Sequence, residues 1–270
     1  MANKAQVFGA GRPKVWSIPP GADFLRALAT TLANETKLSE EPDALSDAII
    51  YVPNSRWWRA LMLAVYDAAG EKSILPPDVR TLGDLESEEA PPNAETALVG
   101  LPPALSPARR LGALAALVRK FYEAEYRVDL PPASALAAAR ELSRLLDQAA
   151  LSAGADWSKL DTLVGESDLA AHWHRSVAFL KIITAAWPEW LNDNNAMDPF
   201  ARRLAAAEAL AADWLANPPT APVIIAGSTG ATPAGRVLMK AALTLPKGLI
   251  VLPGLDMDAD EDAWNAIRQS

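Results

Sequence analysis

Near the carboxyl end, "PVIIAG" is followed by "PAGRVLMKAALTL" and then by "GLIVLPG", a strand–helix–strand succession that restricts the chain to few folds. Two apolar β-type runs joined by a helix of that length predict parallel strands in one sheet, linked by a right-handed crossover. The amino-terminal part repeats the rhythm. "KVWSI" (14–18) precedes "ADFLRALATTLA", whose Phe24, Leu25, Leu28 and Leu32 fall at helical spacing. "DAIIYVP" (47–53) precedes the helical pattern "RWWRALMLAVYDAAG", with the cap-type residues Asn54 and Ser55 at the junction. "DVRTLGDL" (78–85) reads as a third short strand.

Between about 104 and 216 the patterns are helical only. "SPARRLGALAALVRKFYEAEY" and "PPASALAAARELSRLLDQAAL" both carry proline near the first turn, where a missing amide costs little. In "DLAAHWHRSVAFLKIITAAWPEWL", Leu169, Trp173, Val177, Leu180, Thr184 and Trp187 mark one apolar stripe, and Pro188 is expected to bend or end the helix. "DPFARRLAAAEALAADWLA" is a last helix before Asn217-Pro218-Pro219. The predicted architecture is therefore α/β. Residues 1–100 and 218–270 share one parallel sheet, and 101–217 form an all-helical insertion.

With 270 residues, half of them hydrophobic, the chain can bury a sizeable core. No run of 18 apolar residues occurs, and the first residues lack the apolar centre of a signal peptide. Zero cysteines exclude disulfides and thiolate-held metals from this chain. A cytoplasmic chain without membrane partners is the expectation. A net charge of −8 argues against strong autonomous nucleic-acid binding. The charge is uneven, since residues 82–98 hold five acids and no base, whereas 101–120 hold Arg109, Arg110, Arg119 and Lys120 with no acid. Both runs read as solvated loop or helix faces.

Several stretches imitate chemical motifs. "GATPAGRV" (230–237) has the glycine spacing of a Walker A loop, but Arg236 stands at the lysine position and Val237 at the magnesium-binding hydroxyl. Pro233 removes an amide, and Thr232 before it reads as a helix cap, so Gly235 falls inside a helix and the loop reads as a strand-to-helix turn. Phosphate held by the amides of Ser228 to Gly230 is the weaker alternative. In "WSIPPGADF" three residues, two of them prolines, separate strand from helix, too little to surround a triphosphate. "LDMDADED" sets Asp256, Asp258 and Asp260 like the start of an EF-hand loop, but Glu261 replaces the required glycine and Ile267 the closing glutamate. His172 and His174 lie two apart on a helix and cannot share a metal. Trp57 with Trp58 could stack on nucleic-acid bases, whereas Trp173, Trp187 and Trp190 fall on apolar helix faces and read as core.

The run "HWHRSVAFLKIITAAWPEWL" and the stretch from "MDPFARRLAAAEALAADWLANPP" through "VIIAGSTGATPAGRVL" to "LPGLD" resemble the amino-terminal region of AddB. This is the alphaproteobacterial type of that subunit of the AddAB helicase–nuclease, which processes double-strand DNA breaks. "IPPGADFLRALATTL", "DAIIYVPNSRWWRAL" and "ELSRLLDQ" fit the same family in order. The resemblance implies a superfamily 1 helicase-like, P-loop-like but degenerate α/β domain, with 101–217 as a 1B-like inserted subdomain. "PVIIAGSTG" takes the place of the strand that carries a metal-binding acid in a working motor, and here the residues are Ala226-Gly227. No ATP hydrolysis and no catalytic residue are implied for this stretch. The iron–sulfur cluster and magnesium of the family belong to a carboxyl-terminal nuclease domain, so the chain is expected to be a fragment. The implied partners are the AddA subunit, DNA ends and single-stranded DNA, including the Chi hotspot. Arg56, Trp57 and Arg59 after the second strand, with Ser228 and Thr229, are the expected DNA contacts. A small α/β phosphotransferase or hydrolase using the "GSTG" turn, and a pure protein-interaction scaffold, are the competing readings.

Overall fold

A computed structural model describes residues 13–70, 72–82, 100–152, 170–254, 260–262 and 265. In chain order the described elements are β1 (Val15–Ile18), α1 (Phe24–Thr36), β2 (Ile49–Val52), α2 (Ser55–Ala68) and β3 (Asp78–Thr81). Then come α3 (Pro107–Tyr126), α4 (Pro132–Leu151), α5 (Ala170–Lys181), α6 (Trp187–Asp193) and α7 (Pro199–Ala216). The chain returns to β4 (Val223–Ala226), α8 (Pro233–Thr244) and β5 (Gly248–Pro253). Two compact units result, Met1–Ser87 with Ala207–Ser270, and Glu88–Ala206.

The first unit is an α/β layer structure on an all-parallel sheet of order β1-β5-β4-β2-β3. The predicted β4–α8–β5 crossover is present, with Ile224 in register with Leu249. Parallel strands are covered on both faces, which is why β4 is apolar and buried throughout. One face sets Ile50, Val52, Ile224, Ala226, Leu249 and Val251 against Leu28 and Leu32 of α1 and Leu61 and Val65 of α2. Each such side chain contributes about 1.5–3 kcal/mol by leaving water. On the other face the Tyr51 ring meets Trp214 of α7 edge-on, with centroids 5.9 Å apart. Lys14, just before β1, donates its Nζ to the carbonyls of Leu243 and Leu245, a cation on the carboxyl end of α8.

The strand-to-helix junctions follow local chemistry. Asp23 caps α1 by accepting from the Arg26 amide, so residues 19–23, not three residues, separate β1 from its helix. The extra length arises because Ala22 closes a turn on the Pro19 carbonyl before the cap. Asn54 caps α2 through the amides of Arg56 and Trp57, both 3.1 Å away. Thr232 caps α8 through the Gly235 amide, with Pro233 in the first turn.

The helical unit begins with α3 and α4, joined by residues 127–131, short enough to make the two helices antiparallel neighbours. Leu114, Val118, Ala135, Ala139, Leu142, Ile182, Ile183 and Trp187 form its core. Trp187 and Trp190 stack with centroids 5.4 Å apart and planes within 4°. Residues Ile182–Ala186 widen into a π-helical turn just before Pro188. Proline lacks the amide and crowds the carbonyl four residues back, so the helix is interrupted there by a π-helical turn and continues as α6.

The basic run at 101–120 is not a uniformly solvated face. Arg110 is buried, donating to Asp198 Oδ2 at 2.8 Å, Asp147 Oδ1 at 2.7 Å and Ser143 Oγ at 2.9 Å. It ties α3 to α4 and to the residue before α7, and a buried cation is tolerable only with such partners. Arg119 is exposed and paired with Asp129. The acidic residues 83–99, the EF-hand-like residues 255–259 and the side chains of Trp173, His172 and His174 lie outside the described residues.

Candidate nucleic-acid interface

An open parallel sheet forms a crevice where the chain leaves two neighbouring strands in opposite directions. Here those strands are β2 and β4, paired through Ile50 and Ile224. From β2 the chain moves outward to β3, and from β4 it moves the other way to β5. All five residues expected to contact DNA lie just past the carboxyl ends of these two strands. Arg56, Trp57 and Arg59 are in the first turns of α2, and Ser228 and Thr229 are in the loop after β4.

Arg56 and Arg59 are exposed, and neither forms a salt bridge with a described residue. Trp57 is half-buried, its ring 5.2 Å from that of Phe24. Its other neighbour is Gly227, where an added Cβ would stand 2.2 Å from the indole. Gly227 also has φ +74°, so glycine is required there on two counts. Trp57 thus locks the β2 and β4 loops together, while Trp58 beside it is 40% exposed and offers an open ring. Thr229 is exposed, whereas the Ser228 hydroxyl accepts from the Gly230 amide at 3.2 Å.

The Walker-like loop is occupied by its own side chain. Arg236 donates from Nη1 to the Gly230 carbonyl at 2.9 Å and to that of Ala231 at 3.4 Å. Of its amides, Gly227 donates to the Val251 carbonyl and Gly230 to Ser228. Over β1, Gly254 donates to the Ile18 carbonyl and brings its backbone against Pro20, so this loop also closes on a neighbour. The Asp23 carboxylate sits at the amino end of α1, where a bound phosphate would meet like charge. Beneath the crevice, burial pushes the Tyr51 phenol above its ordinary value, against the opposing pull of Arg80.

Sequence reasoning placed the five residues on the right elements but missed two contacts that shape the site. One is Trp57 against Gly227, separated by most of the chain. The other is the Arg236 clasp, whose signal was only an arginine four residues after a cap. Among the described residues no three His, Cys, Asp or Glu side chains gather to hold a metal ion, and no described helix is long and apolar enough to cross a membrane. The rim carries two exposed guanidiniums, an exposed indole and a threonine hydroxyl, groups suited to phosphates and to stacking on bases. No protein-family model matches the chain, and a search of curated proteins gave no match.

Proposed function

We propose that this chain is the amino-terminal, helicase-like module of an AddB-type subunit, a motor fold without ATP hydrolysis. In this reading it serves a double-strand break repair complex as scaffold and as a guide for single-stranded DNA beside an AddA-type partner. The observation that carries it is the end of β4, where Ala226 and the following Gly227 stand in place of metal-binding acids. Further support comes from the loop after β1, where Pro19 and Pro20 supply no donors and Gly254 closes against Pro20. The Walker-like spacing after β4 offers no substitute, since the Arg236 guanidinium is spent on the carbonyls of its own loop. Residues 101–217 then correspond to the 1B-like insertion. This chain has no cysteine to ligate an iron–sulfur cluster.

ATP turnover should stay at background with and without oligothymidylate. Stimulated hydrolysis, or ordered ATP–magnesium at 227–230 in a soaked crystal, would favour a phosphate-using enzyme and sink the inactive-motor reading. Labelled oligothymidylate followed by anisotropy tests the DNA contact. The double variant Arg56→Ala/Arg59→Ala should weaken binding roughly tenfold and flatten its salt dependence. Unchanged affinity would leave a scaffold without a DNA contact at this rim.

A further inference from the structure

We propose that the helical unit carries a docking groove for an amphipathic helix of a partner protein, held antiparallel to the face that runs from Ala178 to Asp193. This inference is independent of the DNA reading. The groove, open to solvent, measures about 510 Å³ between Leu117, Lys120 and Phe121 of α3 and one face of the helical run through α5 and α6. On that face Ala178, Lys181, Ile182, Ala185, Ala186, Glu189, Trp190 and Asp193 recur every three or four residues, one continuous stripe. It is about 22 Å long, the length of a four-turn helix. Alanine at 178, 185 and 186 leaves room for a second helix to approach closely.

The occupant is specified by charge. Phe121 touches Phe179, with ring centroids 5.6 Å apart, so Lys120 stands at the same end of the groove as Lys181. Glu189 and Asp193, one turn apart on α6, mark the opposite end. None of these four forms a salt bridge with a described residue. A helix presents a positive amino end and a negative carboxyl end. It therefore fits with its amino end at Glu189 and Asp193 and its carboxyl end at the two lysines. Since α5–α6 runs from the lysines to the acids, the docked helix runs antiparallel to it. Bases in the partner's first turn and acids in its last would strengthen the match.

The test uses the full chain and two fluorescein-labelled, hydrocarbon-stapled helical peptides of 16 residues with one leucine–alanine stripe. The first carries two arginines in its first turn and two glutamates in its last, and the second has these charges exchanged. Anisotropy should show the first binding roughly tenfold tighter than the second. Lys120→Glu/Lys181→Glu should abolish that preference, and Ala185→Arg, at an exposed position, should remove binding of both while the circular dichroism stays unchanged. No binding of either peptide, equal affinities, or full binding by Ala185→Arg would overturn the proposal. A monomer–dimer equilibrium in sedimentation that Ala185→Arg removes would put a second copy of this chain in the groove and overturn the partner assignment.

Discussion

The two units hold themselves together by different means. In the α/β unit the specificity lies in backbone: parallel registers, caps at Asp23, Asn54 and Thr232, and glycines that let loops touch. The described core of that unit on the α1–α2 face is hydrophobic and uncharged, with Thr36 and Thr81 its buried polar residues. In the helical unit the backbone satisfies itself, and uniqueness comes from side chains, namely the Arg110 cluster and the stacked Trp187–Trp190 pair. Helices rich in alanine slide and rotate against one another at little cost, so a buried cation with two fixed acids selects one arrangement.

That contrast can be broken deliberately. The largest effect is expected from Arg110→Ala, which leaves the part-buried Asp198 without its cation and should cost about 3–5 kcal/mol. Native-state hydrogen exchange should then show α3 and α4 amides losing protection while those of β2 and β4 keep theirs. Equal loss in both regions would mean that they unfold as one cooperative body. Gly227→Ala should do the reverse, loosening β4 and α2 by about 2–4 kcal/mol through the positive φ and the clash with Trp57. Asn54→Ala removes one cap and should lower stability by about 1 kcal/mol in urea unfolding. It should also weaken oligothymidylate binding, since the fraying turn carries Arg56.

The smallest effect concerns Tyr51 and appears only in alkali. Its folded pKa is raised, so above the ordinary phenol value of 10.0 the unfolded chain releases a proton that the folded chain retains. Stability is therefore full below that pH and declines as pH rises further. Tyr51→Phe should reduce the slope of urea midpoint against pH above 10, and an unchanged slope would show that other groups carry it.

Elements and most strand-to-helix junctions were legible in the sequence because their causes are local, although the β1–α1 turn was read two residues short. The Thr232–Pro233 cap is written in adjacent residues, and Asn54 marked the start of α2. The sheet order was not legible. That β5 inserts between β1 and β4 depends on pairing across the whole chain, and no short pattern records it. Arg110 misled for the same reason. Its neighbours in sequence are basic, while its acids lie 37 and 88 residues away. At the candidate site the positions of Arg56 and Ser228 followed from strand ends, but the burial of Trp57 depends on a glycine in the loop after β4.

The bond from Lys14 to the Leu245 carbonyl spans 231 residues and closes the same edge on which β1 lies beside β5. At roughly 5–20 residues per second, synthesis would take on the order of ten seconds to most of a minute to cross that span. Throughout that interval β1 has no strand to pair with, and Trp16 and Ile18 stay uncovered. The α3–α4 hairpin, whose contacts are local, can meanwhile form on the ribosome. β1, made before the other described strands of its sheet, is thus among the last of them to be secured.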